Sequence, residues 1–591
     1  MRNIFLILAA CFPLLAHATA YTSTQNGPWS ATATWGGSGP PGIGDTATIA
    51  HTVNVDANTT VGTSPNDNTT AVITINSSKT LVITNGFTLT IRGNLAIATS
   101  TLTLNAGAGI VFDNSASGGS PVYKLTGASV PTLNCNGTSG SHCSLSCISG
   151  QTWILGQSWT ALTATYTDFT RMASQSVTGF STGANVFTHC TWTSCAEIGF
   201  VGGAGSLTLT DNIFTNSVAA SSFNLNYNSA GTTRILTRNI ADGLMTYQAG
   251  TFTVTSNCLG NGIICVAGAT FASCRNNLLG INGANGSLFT DSIERNYFTT
   301  SGTGGNPHWV QPNAKIHDSS FNQNIFDSNQ PDVVDGGDVF LCMTSSTSGG
   351  FQVIGNNNIV LPSSATNTSG TLVTLYDAGS TFLSQWNRNT CNANMTTTAA
   401  GRLGVVDLAE ANTGFAGQIS VWKSNVGWGS SASQNYLVQR QTGNVKDIMT
   451  AVGADYNWTY NLSVGDNFRG YDDRAANNTL WTAGDAIATG VDVHQGTGNP
   501  QFYDSARNLP KWCFDRGYGT QTYTNALTVI QNDLTKIPDL INYVFEGFRP
   551  QNLAMRNAAN DGGCVGAANF ARDRNLASVN RFRATLSIFG L

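Results

Sequence analysis

The chain has 591 residues, of which 41% are hydrophobic and only 10% are charged, and its formal net charge at pH 7 is −5. A low net charge together with abundant Thr, Ile, Val and Phe argues against a disordered chain. The sequence carries no basic stripe, which argues against nucleic acid or an anionic membrane surface as partners.

The first twenty residues have the pattern of a secretory signal peptide. Arg2 precedes an apolar run from Ile4 to Leu15, and Ala18-Thr19-Ala20 supplies the small residues of a cleavage site. The apolar run is shorter than the ~20 residues that a membrane-spanning helix needs. The sequence therefore predicts a secreted or surface-exposed bacterial protein without a membrane span.

Residues 21–130 are expected to form an N-terminal cap and the first repeats. The segment from Trp29 to Asp45 is rich in turn residues, and alternating runs such as Thr80 to Thr84 and Phe87 to Ile91 follow it. Strict alternation around Asn85-Gly86 predicts strands joined by a tight turn. A cap is expected because the end strand of a repeat array otherwise exposes an unpaired edge.

Between Leu207 and Ser430 one phrase recurs: apolar, polar, apolar, then an asparagine, then another apolar residue. Its spacing runs from 18 residues (Asn239 to Asn257) to 38 residues (Asn387 to Asn425), which is typical of a solenoid. Alternation makes each phrase a short strand with one face turned inward. Residues 131–522 are therefore predicted to be the body of an all-β solenoid of parallel strands. The asparagines assigned to one corner are Asn212, Asn239, Asn257, Asn277, Asn296, Asn324, Asn357, Asn387 and Asn425.

These asparagines have a structural explanation. A tight corner requires left-handed backbone, which asparagine tolerates better than other residues apart from glycine. Amides stacked from coil to coil can also bond to one another. The pattern therefore predicts asparagines in the left-handed position and an amide ladder along the solenoid.

The segment that begins at Asn306 is the richest in side chains with possible chemistry. His308 can act as base or acid near neutral pH, and Trp309 can stack on a sugar ring beside Gln311. Glu294 and Arg295 lie about one coil earlier and are candidates for the same face, for substrate binding and catalysis respectively. The alternative is a satisfied polar residue beside a core tryptophan.

Three carboxylates follow in a glycine-containing turn, at Asp332, Asp335 and Asp338. Hard oxygen ligands in a flexible loop suit Ca²⁺, the candidate cofactor. Asp332 and Asp335 are alternatively candidates for acid and base at a glycosidic bond. A solvated loop is the third reading. Weaker acidic candidates are Tyr471-Asp-Asp-Arg474 and Asp492-Val-His494.

The C-terminal segment, residues 523–591, changes period. Apolar residues recur at intervals of three and four from Thr524 to Gly547, which predicts helical turns, and Pro538 suits the first turn of a helix. Such a helix would cover the last coil or pack on the flank of the solenoid.

Thirteen cysteines are present, and 13 − 1 = 12 remain after removal of Cys11 with the signal peptide. An even number in an exported chain favours disulfides, with Cys190/Cys195, Cys135/Cys143/Cys147 and Cys513/Cys564 as candidate groupings. Zinc binding is the alternative, because His142-Cys143 and His189-Cys190 combine suitable ligands.

Two phrases carry a resemblance to a known family. Trp35-Gly-Gly with Pro40-Pro-Gly-Ile-Gly-Asp45 is similar to the opening of secreted bacterial β-helices, and Gly498 to Asp504 with Asp561 to Ala567 is similar to their ending. Over most of residues 40–567 the chain resembles the right-handed parallel β-helix proteins of the pectate-lyase-like superfamily.

The resemblance implies a right-handed parallel β-helix and an extracellular polysaccharide as partner. The motif sets that mark polygalacturonases and pectate lyases are absent from the sequence. Two function classes therefore stay open. One is a polysaccharide lyase or glycoside hydrolase that uses His308, Asp332, Asp335 and Arg295. The other is a non-catalytic adhesin or structural protein of the cell surface.

Overall fold

The computed structural model describes residues 18–567 apart from a set of internal gaps, so the predicted signal residues 1–17 lie outside it. The gaps are residues 119–120, 128–130, 157–158, 174, 179–182, 196–197, 202–204, 216–222, 226–232, 242–244, 248–249, 260–262, 266–268, 282–290, 301–318, 328–337, 345–350, 362–368, 377–381, 394–401, 409–418, 430–433, 441–454, 461–470, 474–478, 481–493, 495, 505–533 and 560–563. Two compact units are present. Unit 1 comprises residues 1–208 and 216–219, and unit 2 comprises residues 209–215 and 220–591.

In unit 1 the chain repeats a coil of three short strands, and equivalent strands of successive coils pair in parallel. We call the sheets formed by the first, second and third strands sheet 1, sheet 2 and sheet 3. Strands of sheet 1 are Ala20–Thr22, Thr46–Ile49, Ala71–Ile75, Asn94–Ile97, Tyr123–Gly127 and Trp153–Leu155, and at the same position of the next coils Gln175–Thr178 and Ile198–Val201 pair in a separate sheet. Strands of sheet 2 are Gly27–Pro28, Val53–Val55, Thr80–Ile83, Thr101–Leu104, Thr132–Asn136, Ala161–Thr165 and Asn185–Thr188. Strands of sheet 3 are Thr59–Val61, Thr88–Ile91, Gly109–Phe112, Cys143–Cys147, Thr167–Thr170 and Thr191–Thr193.

Unit 2 repeats the same three-strand coil. Strands at the sheet 1 position fall into two sets that do not pair with each other. The first set is Phe223–Leu225, Met245–Tyr247 and Ile263–Cys265, and the second is Asp338–Thr344, Ser369–Tyr376, Arg402–Leu408, Gln434–Arg440 and Tyr471–Asp473, the last with the antiparallel Thr479–Leu480. Strands of sheet 2 are Thr233–Thr237, Gly250–Thr255, Ala269–Arg275, Asp291–Glu294, Ser319–Asn322, Phe351–Asn356, Phe382–Asn387 and Ile419–Lys423, and Leu207–Thr210 lies at the unit boundary. Strands of sheet 3 are Ile213–Thr215, Ile240–Ala241, Cys258–Leu259, Leu278–Ile281, Tyr297–Thr300, Ile325–Asp327, Ile359–Leu361, Thr390–Ala393, Val426–Gly429, Trp458–Tyr460 and Gly496–Thr497.

The register explains why alternating sequences adopt this fold. In sheet 2 of unit 1, Leu81 pairs with Leu102, Leu102 with Leu133, and Leu133 with Leu162, and all four are fully buried. Alternate residues of a strand point to opposite faces, so one side of every strand contributes to the core. The fold is therefore the predicted right-handed parallel β-helix.

Two tryptophans form the N-terminal cap beside the first strands. A 3₁₀ turn at Thr32–Trp35 brings the rings of Trp35 and Trp29 to a centroid distance of 4.9 Å, and both residues are buried. Trp35 Nε1 donates to the Trp29 carbonyl oxygen at 2.7 Å. Gly36, with φ 69°, ends the turn in the left-handed region where glycine is favoured. The predicted cap is confirmed.

The predicted C-terminal helix is also confirmed. A 3₁₀ turn at Leu534–Lys536 leads into α1 (Ile537–Gly547), with Pro538 in its first turn, and a short α2 (Leu553–Arg556) follows. The apolar face of α1 packs on the flank of unit 2, against the first residues of several strands of sheet 3, such as Tyr297 and Ile325. Among the described residues, no helix is long and apolar enough to cross a membrane.

The expected local disulfides do not form among the described cysteines. Cys135, Cys143, Cys147 and Cys195 are free thiols in the structure. Cys190 Sγ donates to the Ala164 carbonyl and Cys195 Sγ to the Phe169 carbonyl, so each thiol faces a different strand of the preceding coil. Closeness in sequence therefore does not bring these two sulfurs together. Cys513 lies outside the described residues.

Candidate functional site

An asparagine ladder runs along the turn between sheets 2 and 3 of unit 2. The main-chain N–H of each asparagine donates to Oδ1 of its counterpart in the next coil at 2.8–3.0 Å, and its Nδ2 donates to the same Oδ1 at 2.9–3.2 Å. Every member is at most 1% exposed. The members are Asn212, Asn239, Asn257, Asn277, Asn296, Asn324, Asn358, Asn389, Asn425 and Asn457.

The predicted ladder exists, but two of its predicted members are wrong. Asn358 and Asn389 occupy the positions assigned to Asn357 and Asn387, and Asn457 extends the ladder. Each true member is followed by a residue that starts a strand of sheet 3, whereas Asn357 precedes another asparagine and Asn387 ends a strand of sheet 2. The repeated phrase, read strictly, selects Asn358 because Ile359 follows it.

The prediction of left-handed backbone holds at Asn357, with φ 58°, but is wrong at the ladder asparagines themselves. The left-handed residue is the one before each asparagine, with φ between 54° and 61°. We call these residues the turn column: Asp211, Arg238, Ser256, Asn276, Arg295, Gln323, Asn357, Arg388, Ser424 and Tyr456. The ladder asparagine is selected by its hydrogen bonds, because it satisfies main-chain groups in a buried corner.

Side chains of the turn column contact their counterparts in adjacent coils. The guanidinium of Arg238 is bidentate on the carboxylate of Asp211, with distances of 2.7 and 2.8 Å. Arg295 Nε donates to Asn276 Oδ1 at 3.2 Å, and Arg295 Nη2 donates to Asn542 Oδ1 of α1 at 2.8 Å. Helix α1 therefore borders the turn column.

A second column lies one residue earlier, at the last outward position of sheet 2, and we call it the polar strip. Its members are Arg275, Glu294, Asn322, Asn356, Asn387, Lys423 and Asp455, each paired with the next in register. Adjacent strands lie about 4.7–4.9 Å apart, so the six steps span about 29 Å. Arg275 is exposed and the other members are half-buried.

The amides of the polar strip are held in fixed orientations. Oδ1 of Asn322 accepts from the Asn356 N–H at 3.2 Å, Oδ1 of Asn356 from the Asn387 N–H at 3.3 Å, and Oδ1 of Asn387 from the Lys423 N–H at 3.1 Å. An Arg–Glu pair stands at one end and a Lys–Asp pair at the other. The strip is thus a row of ordered amides, and each of its two ends carries one cation and one anion.

A histidine and an aspartate meet at the Asp455 end of the strip. His494 Nδ1 lies 2.8 Å from Asp455 Oδ2, and the His494 N–H donates to Asp455 Oδ1 at 2.9 Å. The imidazole stacks on the Tyr456 ring at 4.5 Å. The His494 side chain is 57% exposed, whereas that of Asp455 is 18% exposed. A carboxylate that orients an accessible imidazole is a common arrangement for proton transfer.

The sequence predicts His494 as a weaker candidate beside Asp492, which lies outside the described residues. The partner in the structure is Asp455, which is 39 residues distant. The residue pattern around Asp455 gives no local signal for this pairing. Only the stacking of coils brings the two side chains together.

Most of the predicted site residues lie outside the described residues, namely His308, Trp309, Gln311, Asp332 and Asp335. His308, Trp309 and Gln311 follow the strand Tyr297–Thr300 in the chain, and Asp332 and Asp335 follow the strand Ile325–Asp327. These two strands are paired neighbours. Asp338 is the first residue of the strand Asp338–Thr344. The calcium prediction therefore stays a prediction. No cluster of three or more candidate metal ligands occurs within the part of the chain that the structure describes.

The structure brings the other two predicted residues together. Glu294 is a member of the polar strip, and Arg295 is the next residue, in the turn column. Arg295 contacts Asn276 and α1 through its guanidinium. Its predicted catalytic role stays a prediction, and its hydrogen bonds show a contribution to the docking of the helix.

These features define the class of structure as a parallel β-helix with an asparagine ladder and a polar strip beside it. Comparisons with protein-family models, with curated proteins and with solved structures found no match to this chain.

Proposed function

We propose that this protein binds an extended extracellular polysaccharide along the polar strip. The observation that carries the proposal is the row of seven polar residues in register, which offers fixed partners along about 29 Å of one face. A linear glycan presents hydroxyl and carboxyl groups at regular intervals. A straight row of ordered amides and charges complements such a chain without paying much ordering entropy.

Acidic polysaccharides are the preferred class. Arg275 and Lys423 are cations near the two ends of the strip, and Arg388 of the turn column is a third cation beside it. Cationic side chains bind carboxylates through charge-assisted hydrogen bonds. Glu294 and Asp455 offset the charges of Arg275 and Lys423, but Arg295 and Arg388 of the turn column leave the region with a net positive charge. A polymer of uronic acids therefore suits the strip and the turn column beside it better than a neutral glycan.

The proposal extends to cleavage of the bound chain, by β-elimination or by hydrolysis. Asp455 and His494 supply an accessible acid or base group at one end of the strip. His308, Asp332, Asp335 and Arg295 remain the sequence-derived candidates, and Ca²⁺ at Asp332, Asp335 and Asp338 would neutralise a uronate and acidify its C5 proton. A non-catalytic adhesin that uses the same strip is the alternative.

Secretion and membership of the pectate-lyase-like superfamily belong to the same proposal. Both are supported by the signal-like first twenty residues and by the opening and closing phrases of the sequence. A three-strand coil with an asparagine ladder is compatible with that assignment.

Binding is tested by affinity electrophoresis or calorimetry against a panel of uronate polymers and neutral glycans. Removal of one cation is expected to weaken uronate binding about tenfold, or ~1.4 kcal/mol, in Arg275→Ala and in Lys423→Ala. Lys124→Ala is the matched control, because Lys124 is a half-buried lysine in sheet 1 of unit 1. Failure to bind any polysaccharide, or equal weakening in Lys124→Ala, contradicts the proposal.

Cleavage is tested separately, by new absorbance from unsaturated products and by new reducing ends, with and without chelator. His494→Ala, His308→Ala and Asp335→Ala are compared on the polymer that binds. Loss of product formation in His494→Ala with retained binding assigns the reaction to the Asp455–His494 pair. Binding without any product assigns the protein to the adhesin class.

A further inference from the structure

A second surface of different chemistry lies in unit 1, on the outward face of sheet 2. In the five strands from Thr80–Ile83 to Asn185–Thr188, register places three columns of outward side chains, and all twelve are half-buried or exposed. Pro28 and Asn54 continue the second column on the two preceding strands. We call this surface the threonine face. Its columns are Thr80, Thr101, Thr132 and Ala161; Val82, Thr103, Asn134, Thr163 and Val186; and Asn136, Thr165 and Thr188.

The composition of the threonine face is unusual for a protein surface. Seven of the twelve positions are threonine, and the others are Asn134, Asn136, Val82, Val186 and Ala161. None is charged and none is aromatic, whereas roughly a quarter to a third of an ordinary surface is charged. Each threonine presents a methyl group and a hydroxyl on a stiff, β-branched side chain.

The face is also regular in two directions. Neighbouring strands are about 4.7–4.9 Å apart, and alternate residues along one strand are about 6.6 Å apart. At the edge of the face the Thr165 hydroxyl donates to the carbonyl oxygens of Cys135 and Gly137, which fixes that side chain. The result is a regular grid of small methyl and hydroxyl groups.

We propose that the threonine face binds ice. Rows of hydroxyl groups at the strand and residue spacings of this face can hold water molecules between them. The repeats of that water are similar in size to those of the oxygen rows on the prism faces of ice. The methyl groups exclude mobile water from the grid. When the face meets a solid surface, the hydration water of these methyl groups is released, which favours the contact. Charge complementarity points the same way, because ice is neutral and strongly hydrated ammonium or carboxylate groups would disrupt the water between the rows.

Crystalline polysaccharide is another repeating solid, and the composition of the threonine face disfavours it. A polysaccharide crystal presents the faces of its sugar rings, which aromatic side chains bind, and the twelve positions contain no aromatic residue. A single extended chain, as proposed for the polar strip, instead offers its hydroxyl and carboxyl groups to charged and amide side chains. This face is thus chemically distinct from the polar strip of unit 2, which carries charges and ordered amides. The two proposals are independent of each other.

Partition of the full-length protein into slowly grown ice, with thermal hysteresis as a second readout, tests the proposal. The protein is expected to enter the ice fraction, whereas serum albumin is excluded from it. Thr103→Lys and Thr163→Lys place a charge at the centre of the grid and are expected to abolish partition. Thr170→Lys is the matched control, because Thr170 is a half-buried, outward residue of sheet 3 in the same unit.

Circular dichroism and the Tm establish whether each variant folds. Thr103→Val replaces any lysine variant that does not fold, because valine keeps the shape of threonine and removes its hydroxyl. Exclusion of the unmodified protein from ice, as for albumin, overturns the proposal. Equal loss in Thr170→Lys overturns the assignment to this face. Retained partition in both Thr103→Lys and Thr163→Lys overturns it as well.

Discussion

The amide of each ladder asparagine in the middle of unit 2 satisfies several buried groups at once. In Asn277, Nδ2 donates to Asn296 Oδ1 and to the Val254 carbonyl, while Oδ1 accepts from the N–H and Nδ2 of Asn257. A carboxylate lacks the donors, and an apolar residue lacks both functions. This explains why asparagine recurs there in a chain whose outward positions vary.

We expect Asn277→Ala to lower the stability of its coils by about 2–6 kcal/mol, because the Asn257 N–H and the Val254 carbonyl each lose a buried partner at about 1–3 kcal/mol. Denaturant midpoints and hydrogen exchange of residues 250–259 and 269–281 measure the effect. Thr253→Ala, an outward substitution in the adjacent coil that carries Asn257, is the control and is expected to change stability by less than about 0.5 kcal/mol. Similar effects of the two substitutions would show that the ladder is not a source of stability.

The ladder also shows how far single-residue patterns predict structure. The repeated phrase predicted its existence and seven of its members. Where asparagines cluster, as at residues 356–358 and 387–389, alternation alone does not fix the register, and the prediction slipped by one or two residues. The left-handed residue was misassigned because arginine, serine and tyrosine fill that position here, so residue preference gives little signal.

Buried thiols give a second prediction at the residue scale. Burial raises the pKa of the Cys143 and Cys195 thiols to about 11 and of the Cys274 thiol to about 12. At pH 8 a thiol with a pKa near 11 is ionised about one part in a thousand, and the thiolate is the reactive form. Alkylation of these residues in the folded protein is therefore expected to be slow, and faster as the pH rises towards 11.

Mass spectrometry after alkylation, with and without denaturant, measures this difference. In denaturant the pKa returns towards its ordinary value, and all three residues are expected to be modified rapidly. A residue that resists alkylation in denaturant until a reductant is added would be part of a disulfide, and the structural finding for that cysteine would be wrong.

Helix α1 is an element whose role depends on a long-range contact. Ile541 and Val544 are buried in one cluster with residues of sheet 3 that precede Ile537 by 176 (Leu361) to 297 (Ile240) positions, and Arg295 bonds to Asn542 beside them. The three-and-four spacing of apolar residues predicted the helix. Its docking site could not be predicted, because the facing residues are small parts of separate phrases.

We expect Ile541→Ala to weaken the docking of α1 by about 2–5 kcal/mol through loss of buried apolar contact. Faster hydrogen exchange and proteolysis within residues 534–550 report the change. Asp539→Asn, at an exposed position in the first turn, is the control and is expected to cost less than about 1 kcal/mol. Protection of α1 that is unchanged in Ile541→Ala would mean that the helix is held by other contacts.

At the scale of the molecule, the repeated coils are predicted well from the sequence, whereas contacts between distant residues are not. Strand pairing follows from alternation, so the coil could be predicted from residues such as Leu81, Leu102 and Leu133. The Asp455–His494 pair could not, because its members meet only when two coils of different length stack. Segments 301–318 and 328–337 follow no such alternation, and the residues predicted from them stay predictions.

The solenoid architecture also determines how far along the chain a destabilising substitution lowers local stability. In a solenoid each coil contacts only its neighbours, so stability is the sum of local terms rather than the property of one core. We therefore expect Asn425→Ala to speed hydrogen exchange in Phe382–Asn387, Ile419–Lys423 and Trp458–Tyr460, and to leave Thr233–Thr237 of the same unit unchanged. Mass-spectrometric exchange on the two proteins, matched for pH and temperature, resolves these strands. Uniform acceleration across unit 2 would mean that its coils unfold together, and the nearest-neighbour description would then fail for this protein.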